Sequence, residues 1–260
     1  MSDKTQKPSV IRTGSIIIKD GAIVVRDPND PILHGLPAGE KVVLTLLVLD
    51  RSGSMASHGD APLVALNELI QNLRTAEGAE RTFAGIITFA GDVRWDVQPM
   101  PATELEDRTS YTANGSTALF QAVNEALAKG LAFRKFFQEN AKREVDVAIA
   151  VISDGGDTDG PVDMQPKVLK LAEEARKQNF KLQVVGIGID ALRLSQLVGF
   201  TPGLAVTVEP TRQGVTIATQ TVSRTFSRTM VGFGNQPPAP AANQPPPSSR
   251  TGTGPTSRSR

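Results

Sequence analysis

The sequence contains no cysteine, only two histidines and no long apolar run. Without cysteine, the chain has neither disulfides nor thiolate ligands for a metal, which suits a reducing compartment. No uninterrupted apolar segment reaches about 18 residues, the length needed to cross a bilayer. Residues 1–8 are polar and have no apolar signal-peptide core, so we expect a cytoplasmic protein. A secreted chain whose signal has been removed is the alternative.

An excess of charge of one sign is also missing. Lysine and arginine together number 28, and aspartate and glutamate together number 27, which leaves a net charge of +1. This balance, with no basic stripe, argues against nucleic acid and membrane surfaces as partners. Hydrophobic residues make up 39% of the 260 residues, which is enough to bury the core of one full domain.

Apolar strands and helices alternate from residue 42 onward. This pattern predicts an α/β fold with a doubly wound, mostly parallel sheet and helices on both faces. Residues 93–97 alternate apolar and polar side chains directly after Gly91-Asp92, so we expect an antiparallel edge strand there. In the long third helix, Phe133, Phe136 and Phe137 have the spacing of core residues. The predicted strands span 42–49, 82–89, 145–152, 182–189 and 205–208, and the predicted helices lie near 62–74, 117–140, 166–178, 191–198 and 212–228.

Three oxygen-bearing side chains, Asp50, Ser52 and Ser54, follow the first of these strands at alternate positions. Buried strands deliver their carboxyl ends to the rim of an open α/β sheet, where ligand crevices form. Thr117 at a helix start and Asp154 after a later strand add two further oxygens. These ligand types suit Mg²⁺, with Mn²⁺ as an alternative, better than zinc. Taken alone, the first motif fits ordinary loop and cap chemistry equally well.

Together these motifs resemble the von Willebrand factor type A domain and its metal-ion-dependent adhesion site, over residues 42–228. By this resemblance, Asp50, Ser52 and Ser54 match the first motif, Thr117 matches the isolated threonine, and Asp154 matches the final aspartate. The resemblance implies a Rossmann-like fold in which the hydroxyls bind the cation directly and the aspartates often act through water. It also implies that the open coordination position takes an acidic side chain, Asp or Glu, from a protein partner.

Residues beside these motifs are predicted to orient the ligands or to form the ligand face. Arg51 would favour an acidic ligand or be a simple solvated charge. Met55 would line the binding face or make a core or cap contact. Asp157 and Asp159 would cap the following helix or orient ligands and waters; an EF-hand loop is rejected because Val168 stands where its acidic twelfth residue belongs. The full set is Arg51, Met55, Gly115, Ser116, Asp157 and Asp159.

Two appendages flank the predicted von Willebrand factor type A domain, which we place at residues 41–233. Residues 1–40 form an extension in which apolar segments at 15–18 and 22–25 flank Lys19-Asp20-Gly21, the turn chemistry of a small β-hairpin. The hairpin would cover a sheet edge or shape a partner surface. Residues 234–260, rich in Pro, Ser, Thr and Arg, are predicted to be a disordered tail. That tail would be passive, a polyproline ligand or a kinase substrate.

An enzyme is the less favoured class of function. Ser52 stands where a phosphatase of the haloacid-dehalogenase type needs a second carboxylate, and acyl transfer from a serine needs a histidine base. Both histidines, His34 and His58, are predicted to be surface residues outside any triad. We therefore expect a binding module that is not an enzyme, with a metal-dependent hydrolase as the weaker alternative.

The resemblance extends to stand-alone bacterial proteins of tellurium-resistance and stress modules, which occur beside a serine/threonine kinase and a phosphatase. That setting implies a stress-signalling role, with the kinase or phosphatase acting on the tail. A second setting, also by resemblance, is an adaptor for an AAA+ ATPase, as in metal chelatases.

Overall fold

The computed structural model describes residues 16–19, 22–25, 41–159, 161 and 163–232. Strands in this part of the chain are β1 (Ile16–Lys19), β2 (Ala22–Val25), β3 (Val42–Asp50), β4 (Thr82–Phe89), β5 (Val93–Pro101), β6 (Val145–Ser153), β7 (Lys181–Ile187) and β8 (Ala205–Val208). Its α-helices are α1 (Ala61–Thr75), α2 (Leu119–Asn140), α3 (Met164–Lys177), α4 (Ala191–Leu197) and α5 (Arg212–Met230).

Six strands form the central sheet in the order β5-β4-β3-β6-β7-β8. All neighbouring strands are parallel except β5, which pairs antiparallel with β4 at the edge. The predicted doubly wound, mostly parallel sheet with one antiparallel edge strand is therefore confirmed. The chain runs from β3 to β4 on one side and returns to β6 on the other. The carboxyl ends of β3 and β6 thus meet at the switch point of the sheet, where ligands bind in open α/β folds.

The helices cover both faces of the sheet and divide its core into two layers. Strand β3 shows why, because all nine of its residues are buried and its apolar side chains alternate between the layers. Val42, Leu44, Leu46 and Val48 pack in the layer that includes residues of α2, α3 and α4. Leu47 and Leu49 face the layer of α1 and α5. Burial on both faces accounts for the nearly continuous apolar run that marks this strand in the sequence.

Element types follow the predictions, while several bounds differ by one to four residues. Strand β7 ends at Ile187 instead of 189, because Gly188 turns the chain with φ +69°. Strand β5 continues to Pro101, four residues beyond its predicted end. Helix α2 begins at Leu119 instead of 117, since Ala118 has the non-helical dihedrals φ −92° and ψ 55°.

Most predicted core residues are in place, but one surface assignment is wrong. Phe133 and Phe137 are fully buried with ring centroids 4.7 Å apart, and Phe136 packs partly buried against them. His58 was expected at the surface and is instead only 3% exposed, because the short 3-10 helix Gly53–His58 turns its last side chain inward. His34 lies outside the described residues.

The predicted N-terminal hairpin is present as an antiparallel pair, in which Lys19 of β1 lies opposite Ala22 of β2. The other parts of the predicted extension at 1–40 lie outside the described residues, as does the predicted disordered tail at 234–260. Within the described ranges, none of the helices combines the length and the apolar character that crossing a membrane requires.

Candidate metal-binding site

Asp50, the last residue of β3, is the innermost member of the site and is fully buried. Its Oδ1 accepts a hydrogen bond of 2.7 Å from the backbone N–H of Ser52, and its Oδ2 accepts one from the hydroxyl of Ser153 at the end of β6. Burial raises the pKa of Asp50, and these two hydrogen bonds oppose the rise. A cation beside the carboxylate would favour its charged form.

The hydroxyls of Ser52 and Ser54 and the carboxylate of Asp154 form a row of oxygens at the rim. Ser52 Oγ lies 3.1 Å from Ser54 Oγ, and Ser54 Oγ donates a hydrogen bond of 2.7 Å to Asp154 Oδ1. Oxygens at neighbouring positions around octahedral Mg²⁺, each about 2.1 Å from the ion, lie about 3.0 Å apart. The row therefore has the spacing that neighbouring ligands of such an ion need. Ser54 is exposed, so the row opens to solvent.

Thr117 reaches this rim on a loop that is hydrogen-bonded on both sides. On one side, Gly53 N–H donates to the carbonyl of Gly115 over 2.9 Å. On the other, Thr158 N–H donates to the carbonyl of Thr117 over 2.8 Å. Gly115 has φ +82°, a conformation that favours glycine, which explains the residue type two positions before the threonine. Thr117 is nearly buried, at 6% exposure.

Arg51 fits neither of its two predicted roles. Its side chain is only 7% exposed and forms an ion pair with Asp92 in the loop between β4 and β5. The other oxygen of Asp92 accepts a hydrogen bond of 2.6 Å from Arg94. The hydrogen bonds from Arg94 and then Arg51 lower the pKa of Asp92. Arg51 is thus a buried support of the loop between two predicted ligands, because its charge is already paired.

Met55 has a single role in the structure. Its side chain is completely buried and belongs to the core layer of α1 and α5. The 3-10 helix Gly53–His58 turns Ser54 outward and Met55 inward, so Met55 does not line an exposed binding face.

Two predicted residues around the site meet parts of the chain distant in sequence. Asp157 Oδ1 accepts a hydrogen bond of 3.0 Å from the backbone N–H of Phe120, so this carboxylate caps α2 and not the following helix α3. Asp159 Oδ2 accepts a hydrogen bond of 2.5 Å from the hydroxyl of Ser116. The first alternative, that both cap the following helix, is therefore wrong, since the loop after β6 folds back onto the start of α2. The second alternative, that they orient ligands and waters, stays a prediction.

Tyr111 belongs to the site, and the sequence reasoning missed it. Its hydroxyl donates a hydrogen bond to the backbone carbonyl of Asp50. Burial, and then the negative charge of Asp50, raise the pKa of Tyr111 well above its usual range, so the phenol stays a neutral donor. The only sequence signal was that this is the single tyrosine of the chain, in an otherwise polar loop.

The donor set fits a hard cation and does not fit a zinc-type cluster. Among the described residues, no group of three or more His, Cys, Asp and Glu side chains is placed to hold a metal. An ion at this rim would therefore depend on hydroxyl oxygens as well as on the carboxylates of Asp50 and Asp154, which is chemistry suited to Mg²⁺ or Mn²⁺. In this part of the chain, neither Ser52 nor Ser54 has a histidine as hydrogen-bond partner.

Solved structures show the same fold at low sequence identity. The chain is similar to the pilus adhesin SpaC from Lactobacillus rhamnosus GG in its open conformation, with a TM-score of 0.57 and 15% identity over 74% of this chain and 31% of that chain. It is similar to a von Willebrand factor type A structure from Catenulispora acidiphila, with a TM-score of 0.50 and 13% identity over 73% and 43% of the two chains.

A further similar structure, proximal thread matrix protein 1 from the mussel byssus, has a zinc-occupied MIDAS motif. Its TM-score is 0.51, with 14% identity over 72% of this chain and 46% of that chain. This chain thus spans less than half the length of each of these proteins. No curated protein gives a match.

The family assignment rests on the sequence itself. The family model for the von Willebrand factor type A domain matches residues 46–213, which is more than half of the chain and includes every predicted metal ligand. The six-stranded sheet and the position of the rim at its switch point agree with this match. The chain belongs to the von Willebrand factor type A family.

Proposed function

We propose that this protein is a metal-dependent protein-interaction module that binds an acidic group of a partner. The ligands of the proposed Mg²⁺, or Mn²⁺, are Asp50, Ser52, Ser54, Thr117 and Asp154. The observation that carries the proposal is the row of Ser52, Ser54 and Asp154 oxygens at ligand spacing beside the buried Asp50. When bound, the cation would supply positive charge and an open coordination position at the rim.

The ligand set explains why an acidic partner is favoured. Only two of the five proposed ligands, Asp50 and Asp154, carry negative charge, and the other three are neutral hydroxyls. A hydroxyl donates electron density without cancelling charge, so the site would keep enough positive charge to attract a carboxylate. Arg51 does not compete for that carboxylate because it is paired with Asp92. These residues bind and orient a ligand, and none of them is placed as a general base, which favours a binding role over hydrolysis.

Direct titration with metal tests the proposal. We expect Mg²⁺ to bind the wild-type protein in isothermal calorimetry and to raise its melting temperature. At a concentration ten times the Kd, mass action adds about 1.4 kcal/mol, which corresponds to about 3–6 °C for a domain of this size. Ser54→Ala should lose most of both effects, because it removes the central hydroxyl of the row.

Thr75→Ala is the control, since the exposed Thr75 hydroxyl also bonds to a backbone carbonyl, that of Gln71 over 2.8 Å, but at the end of helix α1 and away from the ligand loop. It should bind Mg²⁺ as the wild type does. Equal Mg²⁺ binding by Ser54→Ala and wild type would refute the ligand assignment. No Mg²⁺ or Mn²⁺ binding by the wild type would refute the proposed function as a whole.

The two proposed cellular roles, in a kinase and phosphatase module or as an AAA+ adaptor, differ in what the partner does. In the kinase and phosphatase module, we propose that phosphorylation of the 234–260 tail accompanies partner binding. In the AAA+ adaptor, the partner is the motor or its substrate, and phosphorylation plays no part. Incubating the cytoplasmic fraction of the source cells with ATP, followed by mass spectrometry of the tail, distinguishes the two, because an unmodified tail removes support for the kinase setting.

A further inference from the structure

The loop of residues 105–118, hereafter the strap, is hydrogen-bonded to helix α1 near its start and to the metal-binding rim near its end. At its start it is fixed to α1 by side chains. Asn67 donates to the carbonyl of Arg108 over 3.0 Å and accepts from the N–H of Arg108 over 2.7 Å, so the pair is bonded in both directions. Arg74 also donates to the carbonyl of Leu105 over 3.0 Å. The first part of the strap is therefore held in one position by side chains of helix α1.

The second part of the strap contacts the loop that carries three of the proposed ligands. The Tyr111 hydroxyl donates to the carbonyl of Asp50, and the Asn114 N–H donates to the carbonyl of Arg51 over 2.9 Å. The Gly115 carbonyl accepts from the N–H of Gly53 over 2.9 Å. Three strap residues thus hold three residues of the ligand loop in the same order along the chain, and the same strap continues to Thr117.

Tyr111 contacts β3 at the point where its pairing with β6 ends. The pairing between β3 and β6 stops at Leu49 and Ile152, one residue before Asp50. Past this point the main chain of Asp50 has lost its neighbour on the β6 side, and the phenol supplies a hydrogen bond there instead. The ring packs against the core layer of α1 and α5, which fixes the hydroxyl in place.

We infer that Tyr111 is a positioning residue for the metal site, which it supports by fixing the main chain of Asp50 and so the direction of the Asp50 carboxylate. The inference rests on the proposed function for its metal-binding consequence. Residues that orient metal ligands by hydrogen bonding are typically worth about 10–100-fold in metal affinity. Because Tyr111 acts on the backbone of the ligand and not on its carboxylate, we expect the lower end of that range.

The test compares Tyr111→Phe with Trp95→Phe. Tyr111→Phe keeps the ring and removes the hydroxyl. Trp95 is also a partly buried aromatic residue with one side-chain hydrogen bond, from Nε1 to Glu125 over 3.1 Å, but it lies on the edge strand β5. Each variant loses one hydrogen bond, and Trp95→Phe also removes part of a ring that packs on the core and contacts Lys129, so any general loss of stability should be at least as large in Trp95→Phe.

We expect Tyr111→Phe to weaken Mg²⁺ binding about 10-fold in calorimetry, and Trp95→Phe to leave it unchanged. In the metal-free protein, hydrogen exchange at the amides of Ser52 and Gly53 should be faster in Tyr111→Phe than in wild type, with Leu47 of β3 as the unchanged reference. Wild-type Mg²⁺ affinity in Tyr111→Phe would overturn the inference.

The exchange measurement separates this inference from the proposed function. If the wild-type protein binds no metal, the proposed function fails, and the positioning of Asp50 by Tyr111 is then decided by exchange alone. Faster exchange at Ser52 and Gly53 in Tyr111→Phe supports the inference, and unchanged exchange overturns it.

Discussion

The ion pair between Arg51 and Asp92 should contribute more to stability than a surface pair does. The Arg51 side chain is 7% exposed and that of Asp92 is 52% exposed. Removing one partner of a fully buried pair costs about 3–5 kcal/mol, while exposed pairs contribute about 0–1 kcal/mol. With one partner buried and the other in partial contact with water, we expect Asp92→Asn to lower the free energy of unfolding by about 2 kcal/mol. The melting temperature should fall by about 4–8 °C.

Most of the expected loss in the free energy of unfolding comes from leaving the Arg51 charge buried without its partner. Arg51 Nε is buried and has no hydrogen-bond partner in the described part of the chain, so the guanidinium already depends on Asp92 for compensation. Removing both charges in Arg51→Met/Asp92→Asn should therefore cost less than the sum of the two single changes. Thermal and urea unfolding of the four proteins gives the coupling energy. Asp96→Asn is the control, since Asp96 is an exposed carboxylate on strand β5, which follows the loop of Asp92; it should change stability by less than about 0.5 kcal/mol.

The pH dependence of stability gives an independent test of the Asp92 interactions. The pKa of Asp92 is lowered in the folded protein, first by Arg94 and then by Arg51. A carboxyl group with a lowered folded pKa stabilises the protein fully above its unfolded pKa, and this contribution is lost as the pH falls through the folded pKa. The stability difference between wild type and Asp92→Asn should therefore be full at pH 7 and shrink in strong acid. A difference at pH 7 no larger than that of Asp96→Asn would refute the reasoning.

Three further predictions concern the core, a helix cap and a titrating lysine. Phe137→Ala removes a fully buried ring packed against Phe133 and should lower the free energy of unfolding by about 3–5 kcal/mol in urea denaturation; a cost below about 1 kcal/mol would contradict this packing. Asp157→Ala removes the acceptor for the Phe120 N–H and should cost about 1 kcal/mol by the same assay, whereas Asp163→Ala, at the start of α3 without a side-chain cap bond, should cost less. Burial lowers the pKa of Lys129 from 10.5 to about 8 in the folded protein. Between those pH values the unfolded chain holds this proton more tightly than the folded protein does, so the free energy of unfolding should rise with pH. Lys129→Met should abolish that rise, and the same rise in the variant as in the wild type would contradict the prediction.

The fold was predictable because its signals are local. The nearly continuous apolar run at 42–49 indicates a parallel strand covered on both faces, as β3 is, and the alternation after Gly91 indicates the antiparallel edge. The family motif likewise consists of short segments at strand and helix ends. The bounds were less predictable because they depend on single backbone conformations, such as φ +69° at Gly188, which the residue type permits but does not require.

The supports of the site could not be predicted because each is a contact between residues far apart in sequence. Arg51 is expected from its position either to favour an acidic ligand or to be a solvated charge, since nothing near it in the sequence shows that Asp92, 41 positions later, pairs with it inside the rim. His58 is assigned to the surface from its polar loop, and for Met55 the binding face and the core stay open, because the turn of one 3-10 helix decides which of these side chains enter the core.

Tyr111 illustrates why a binding site needs more than its ligands. The hydroxyls of Ser52 and Ser54 can meet one ion only if the chain between Asp50 and Ser54 keeps a single conformation. Strand β6 stops pairing with that chain at Leu49, although β4 still pairs with Asp50. Beyond Leu49 the strap takes the place of β6, with hydrogen bonds to residues 50, 51 and 53. A strap residue needs only a donor or acceptor at the right place, so a phenol, an amide or a carbonyl can serve. This freedom leaves no recognisable pattern in the sequence, whereas the ligands must have oxygens at fixed spacing and therefore leave a motif.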